Sequence, residues 1–155
     1  MDPERRKLIE QKRQFNDARL AMKQLRERAE PAFSTLLEAG EDFKLRSLAD
    51  AISWGPNWLT RASYVQWREI DDVQWAYGFD DDRQKHARVS EVLCGIVGPQ
   101  DRILVCDQFQ LELTRAAFER HIDAIFEAAW RPYITAANAE WLIEVKGCEI
   151  CWKVG

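Results

Sequence analysis

Residues 141–153, WLIEVKGCEICWK, indicate the fold more clearly than any other stretch of the chain. Lys146-Gly147 has turn chemistry and lies between two runs of alternating apolar and polar side chains, which predicts a β-hairpin with a two-residue turn. In this register every cross-strand apolar pair falls on one face of the hairpin. The predicted pairs are Val145 with Cys148, Ile143 with Ile150 and Trp141 with Trp152, while Glu144, Glu149 and Lys153 point to the other face.

The remaining segments predict further strands and helices. Residues 64–70 and 73–79 predict a hairpin around Asp71-Asp72, and residues 88–97 and 102–113 predict two more strands joined by a turn. Thr114 caps a predicted helix at 115–130, and 43–52 predicts a short helix. The fold class is therefore α+β: an antiparallel β-sheet of hairpins packed against helices, with a long N-terminal helix. We expect one domain, 1–155, with residues 31–155 as its α+β core.

The long N-terminal helix, assigned to residues 1–30, has a narrow apolar stripe. Leu8, Phe15 and Met22 recur every seven residues, and Leu25 belongs to a second row beside them. This spacing predicts packing against another helix. The partner helix belongs either to the same fold or to a second copy of the chain, in which case Leu8, Phe15, Met22 and Leu25 form a homodimer seam.

Composition limits the functional class. The formal net charge is −4, so general nucleic-acid binding, which depends on cationic contacts to phosphate, is not expected. No apolar run reaches the length of a membrane span, and the charged N-terminus does not resemble a signal peptide, so we expect no membrane association. The four cysteines are then expected to be thiols in the cytoplasm.

No pattern of catalytic or metal-binding residues is apparent. Cys148 and Cys151 have CxxC spacing, but residues three apart on a strand point to opposite faces, and no second such pair exists. An arrangement of Cys106, His121 and Asp107 has no spacing that supports nucleophilic catalysis. We therefore expect no enzyme activity, no catalytic residues, no metal and no cofactor.

Acidic and aromatic residues are concentrated between positions 67 and 91. Such a surface suits a cationic protein partner, because charge steers the encounter and aromatic side chains contribute much of the binding energy. Trp67 and Trp75 fall on opposite faces of the predicted middle hairpin, so one of them is expected to face solvent. The predicted partner-binding residues are Trp67, Glu69, Asp71, Asp72, Trp75, Asp80, Asp81, Asp82 and Glu91.

A small, acidic, tryptophan-rich α+β chain without a catalytic motif resembles the immunity proteins of bacterial polymorphic toxin systems, such as contact-dependent growth inhibition. The resemblance lies in general character, and no residue is carried over from it. It implies a cytoplasmic inhibitor that blocks a cognate toxin domain, often a basic nuclease. The alternatives are a homo-oligomeric structural or regulatory adaptor that uses the N-terminal helix seam, and a small enzyme of unknown reaction.

Overall fold

The computed structural model describes residues 2–48, 60–61 and 64–155. The helices are α1 (Pro3–Arg28), α2 (Ala32–Glu38), α3 (Asp82–Cys94), α4 (Arg115–Arg120) and α5 (Ile122–Ala128). The strands are β1 (Lys44–Ser47), β2 (Thr60–Arg61), β3 (Tyr64–Val65), β4 (Gln74–Tyr77), β5 (Arg102–Cys106), β6 (Phe109–Thr114), β7 (Tyr133–Thr135), β8 (Trp141–Val145) and β9 (Glu149–Val154). A 3₁₀ turn, Trp67–Glu69, lies between β3 and β4.

A seven-stranded antiparallel sheet organises these elements, in the order β1-β6-β5-β7-β8-β9-β4, while β2 pairs with β3 apart from it. β1 and β4 are therefore the edge strands. The predicted class, α+β with an antiparallel sheet, packed helices and a long N-terminal helix, is confirmed.

The sheet is buried on both faces because its residues alternate between two apolar clusters. The first face packs against helices α2 to α5, and its buried residues include Ile103, Val105, Phe109, Ile134, Ile143 and Ile150. On the second face, Leu104, Cys106, Tyr133, Leu142 and Cys151 share a smaller cluster with Val65 and Trp67. The segment from β3 to β4 therefore covers part of the face opposite helices α2 to α5.

The C-terminal hairpin is confirmed, but its register differs from the predicted one by two residues. The observed pairs are Trp141 with Val154, Ile143 with Trp152 and Val145 with Ile150. The turn still has two residues but lies one residue further along, at Gly147-Cys148: the backbone N–H of Lys146 donates to the carbonyl of Glu149 at 2.9 Å. A shift of two residues keeps the strand side chains on their predicted faces, since the side-chain period of a strand is two. Cys148, predicted to pair with Val145, lies in the turn instead.

The middle of the chain departs from its prediction. Residues 88–97 were predicted as a strand, but Asp82–Cys94 is a helix whose buried side chains, Val89, Val92 and Leu93, follow helical spacing. The hairpin predicted for 64–79 is also wrong, because β4 pairs with β9 and not with β3. A short apolar run suits a buried helix as well as a strand, and β-pairing over long sequence distances leaves no local signal.

Three smaller predictions also fail. Residues 102–113, predicted as one strand, form two antiparallel strands, β5 and β6, with a turn between Cys106 and Phe109. The helix predicted at 115–130 is broken into α4 and α5 at His121, where φ is −120° and ψ is 25°. The predicted N-cap, Thr114, is confirmed, since its side chain accepts from the backbone N–H of Ala117. Part of the helix predicted at 43–52 is strand β1, and its last residues, 49–52, lie outside the described residues.

Helix α1 packs against the core only at its C-terminal end. Leu25 and the capping residue Ala29 are buried in the main apolar cluster, whereas Leu8, Phe15 and Met22 are exposed. Within residues 2–48, 60–61 and 64–155, therefore, no helix pairs with the predicted stripe along most of its length.

Candidate functional site

The three consecutive aspartates predicted as part of a binding surface form the N-terminal end of α3. Asp81 is the N-cap, and its Oδ1 accepts from the backbone N–H of Gln84 at 2.9 Å. Asp80 accepts from the side-chain amide of Gln84 at 3.2 Å. Asp82 lies in the first turn, where a negative charge interacts favourably with the helix dipole. Asp80 and Asp81 therefore have a structural role in addition to any binding role.

A pocket of about 430 Å³ opens between the start of α3, helix α5 and the β8–β9 turn. Its lining residues are Asp82, Lys85, His86, Asp123, Phe126, Glu127, Trp130 and Gly147. Three carboxylates against one ammonium give this lining a net charge of −2 when the histidine is neutral. We call it the acidic pocket.

Lys85 connects two walls of the acidic pocket. Its Nζ donates to the carbonyl oxygen of Gly147 at 3.2 Å and lies 3.6 Å from the Asp82 carboxylate. The side chain is almost fully buried, so these contacts satisfy a charge that would be costly to bury alone. Because Lys85 pairs with Asp82, the net charge of −2 in the lining comes from the carboxylates of Asp123 and Glu127.

His86 and Asp123 form the second connection between α3 and α5. Nδ1 of His86 lies 2.8 Å from Oδ1 of Asp123. The imidazole also stacks on Phe126, with ring centroids 4.5 Å apart and an interplanar angle of 12°. The side chain of His86 is mostly buried, whereas the Asp123 carboxylate is 90% exposed. His86 therefore holds Asp123 in place while leaving its charge accessible from solvent.

Trp130 is a large aromatic side chain at the edge of the pocket, and it is 76% exposed. Its backbone N–H donates to Oδ2 of Asp107 at 3.1 Å, just after the end of α5. Burial raises the pKa of Asp107, and this hydrogen bond acts in the opposite direction. The main chain at Trp130 is thereby tied to the sheet while the indole ring remains in solvent.

Trp67 is buried and belongs to the core, unlike the rest of the predicted binding residues. Its Nε1 donates to Oε2 of Glu144 at 2.9 Å. Glu144, predicted to lie on the face opposite the apolar pairs of the hairpin, is itself buried on the second face of the sheet. The hydroxyl of Tyr133 accepts from the backbone N–H of Val65 at 3.0 Å, and burial raises the pKa of Tyr133 well above its ordinary value. These contacts hold the segment around Trp67 on the sheet, so Trp67 is not part of an accessible surface.

The other predicted residues are exposed but lie apart. Trp75 is half exposed on edge strand β4, with Nζ of Lys146 5.9 Å from its ring centroid. Glu69, Asp71 and Asp72 lie in the segment before β4. Glu91 pairs with Arg88 at 2.8 Å, and it lies nine residues, or about 13 Å, along α3 from the pocket residue Asp82. Of the predicted binding residues, Asp82 is therefore the one that lines the acidic pocket.

Three pocket residues were missed by the sequence analysis although a signal for them existed. Asp123, Glu127 and Trp130 are spaced i, i+4 and i+7, which places them along one side of the predicted helix, away from its apolar face. Because the sequence of residues 88–97 favoured a strand, the packing of these three residues beside α3 could not be predicted. His86, expected in a solvated connection, is instead a largely buried residue of α3.

The cysteines and histidines do not form a nucleophile–base pair in the described part of the chain. Burial raises the pKa of the Cys106 thiol to about 12, which disfavours the nucleophilic thiolate. His121 is engaged elsewhere, with its Nε2 3.1 Å from Oε1 of Glu41. The CxxC cysteines diverge, since Cys148 is exposed and Cys151 is buried. No group of three metal-ligating side chains is found among residues 2–48, 60–61 and 64–155.

Comparison of the chain with protein-family models, curated proteins and solved structures found no match. None of the helices in the described residues combines the length and apolar character needed to cross a membrane.

Proposed function

We propose that this protein binds and neutralises a basic partner protein in the cytoplasm, as an immunity protein does with a cognate toxin domain, and that the acidic pocket is the centre of its binding surface. The observation that carries this proposal is the convergence of Asp82, Asp123 and Glu127 from two helices beside the exposed Trp130. A concave, negatively charged site with an adjacent aromatic ring suits an arginine or lysine side chain.

The chemistry of such a contact follows from the geometry. A guanidinium that enters the pocket can donate hydrogen bonds to the carboxylates of Asp123 and Glu127, and charge-assisted hydrogen bonds of this kind are stronger than neutral ones. The indole of Trp130 offers a face for cation–π stacking at the rim. Asp80 and Asp81, at the same helix end, extend the negative potential and would accelerate association with a basic surface.

Association with a basic toxin domain tests the proposal, and the C-terminal domain encoded by a neighbouring gene is the first partner to try. Trp130→Ala should weaken the complex by at least about tenfold, because truncation of an aromatic residue that contributes strongly to binding costs more than about 1.4 kcal/mol. Asp123→Asn combined with Glu127→Gln should slow association and reduce its dependence on salt. Titration calorimetry and stopped-flow kinetics measure these two effects.

Glu91→Gln is the control, since it removes an exposed carboxylate of α3 that lies outside the pocket. Its affinity should stay close to that of the unmodified protein. An NMR titration with a short arginine-rich peptide provides a test that needs no gene context. The largest shifts should occur at Asp82, Asp123 and Trp130. Equal losses in the control and pocket variants, or shifts spread evenly over the surface, would exclude the acidic pocket as the binding centre.

A further inference from the structure

Helix α1 carries an uncovered apolar row on a helix that extends away from the core. Leu8, Phe15 and Met22 are 52%, 68% and 44% exposed, and they lie seven residues apart along one line of the helix. Neither intrinsic helix formation nor the acidic pocket requires three large apolar side chains in this arrangement. An exposed contiguous apolar patch usually marks an interaction site.

The row ends in a concave surface next to the core. A hollow of about 640 Å³ lies between the C-terminal half of α1 and Phe33 of α2, and Phe15 and Met22 contribute to its lining. The guanidinium carbon of Arg26 lies 5.3 Å from the centroid of the Phe33 ring and forms part of the rim. The shape can therefore receive an apolar side chain from an approaching helix. Its charged lining consists of Arg19, Lys23 and Arg26 together with Glu27 and Glu30.

The charges beside the row are all positive. In a heptad that places Leu8, Phe15 and Met22 at position a, the flanking positions e and g hold Arg5, Lys7, Lys12, Gln14, Arg19, Ala21, Arg26 and Arg28. These eight positions contain six cations and no acid, whereas Glu10 and Asp17 lie at c, away from the stripe. Across the described residues, none of the six cations has a carboxylate within ion-pair distance.

We propose that α1, together with Phe33, forms a second docking surface that binds an amphipathic helix of a partner protein with acidic residues beside its apolar stripe. In a two-stranded helix pair, e and g residues of one helix face e and g residues of the other, so six cations require acids opposite them. This surface is independent of the acidic pocket, and its sign of charge is the reverse.

Two other binding partners for this face of α1, a second copy of the chain and a lipid surface, fit it less well. A second copy would place cations opposite cations, whether the two helices ran parallel, with g facing e, or antiparallel, with e facing e. A lipid surface prefers a broad apolar face opposite a basic one. Here the apolar row is narrow, and Ile9 and Leu20 lie on the far side of the helix.

The test uses the full chain and two synthetic peptides of four heptads, with leucine at a and d and either glutamate or lysine at both e and g. The glutamate peptide should bind at least about tenfold more tightly than the lysine peptide, and the difference should shrink as salt is raised. Lys12→Glu combined with Arg19→Glu lowers the charge of the e and g positions from +6 to +2, so it should reduce this preference. Arg13→Glu, a charge reversal on the opposite side of α1, is the matched control and should preserve it. Circular dichroism checks that each variant keeps its helix.

Three results would overturn the proposal. The first is equal binding of the two peptides, or binding of neither. The second is a dimer of the unmodified protein in sedimentation that Phe15→Ser converts to a monomer, which would assign the stripe to a second copy. The third is binding to phosphatidylserine–phosphatidylcholine vesicles that Phe15→Ser abolishes while the peptides show no preference, which would assign it to lipid. A monomer that discriminates between the peptides supports the proposal.

Discussion

The buried contact between Trp67 and Glu144 should contribute measurably to stability, because it joins the segment before β4 to the sheet. Trp67→Phe keeps an aromatic ring but removes the Nε1 donor that lies 2.9 Å from the carboxylate. A hydrogen bond to a charged group is worth about 1.5–3 kcal/mol, and the smaller ring adds a packing loss. We therefore expect this substitution to lower the free energy of unfolding by about 2–4 kcal/mol.

A double-mutant cycle separates the hydrogen bond from the packing loss. Glu144→Leu removes the acceptor. Lys146 also lies near Glu144, but it keeps an ion-pair partner in this variant because its Nζ is 3.3 Å from the Glu149 carboxylate. In the Glu144→Leu background, Trp67→Phe should cost about 1–2 kcal/mol less than it does alone. Urea unfolding followed by far-UV circular dichroism is the assay, because removal of a tryptophan changes the fluorescence signal itself. A coupling energy within about 0.3 kcal/mol of zero would refute the assigned role of this contact.

Two further predictions concern helix ends and loop contacts. Thr114→Ala should lower the free energy of unfolding by about 1 kcal/mol, because the Thr114 side chain caps α4, and urea unfolding measures the loss. Glu41 accepts hydrogen bonds from Arg120 and His121, which hold the pKa of its carboxyl below the ordinary value of 4.5. Because the folded pKa is lowered, the Glu41 carboxylate stabilises the folded state at pH values above 4.5, and this stabilisation is lost as the pH falls through the folded pKa. Glu41→Gln should therefore make Tm depend less on pH on the acid side of its profile. An unchanged profile would contradict this.

The sequence predicted those parts of the fold whose signals are local. The hairpin at residues 141–153 carries both strands and its turn within thirteen residues, so alternation was enough to assign its faces. Thr114 and the start of α1 were likewise predictable, because a helix cap is a short-range pattern. The pairing of β4 with β9 brings Trp75 next to Cys151, and contacts so distant in sequence leave no local pattern.

The acidic pocket was predicted only in part for the same reason. Asp82 was identified because it belongs to a run of acids, and such runs are visible in any sequence. Asp123 and Glu127 are ordinary surface acids until α5 packs beside α3, which His86 and Phe126 bring about. Trp67 shows the opposite error. It was predicted to bind a partner at the surface because it lies among acids in the sequence, but it is buried and its indole N–H donates to the buried carboxylate of Glu144.

The net charge of −4 conceals a separation of charge that matters for how the molecule associates. The acidic pocket and the basic flanks of α1 are opposite in sign, so a contact between the two surfaces of different copies is electrostatically allowed. Such a contact would be heterologous, and a heterologous contact that does not close propagates into a filament. Size argues against it. The acidic pocket, at about 430 Å³, suits a single cationic side chain, whereas α1 presents twenty-six helical residues over about 39 Å. The two surfaces therefore suit two different binding elements, carried by two partners or by two parts of one.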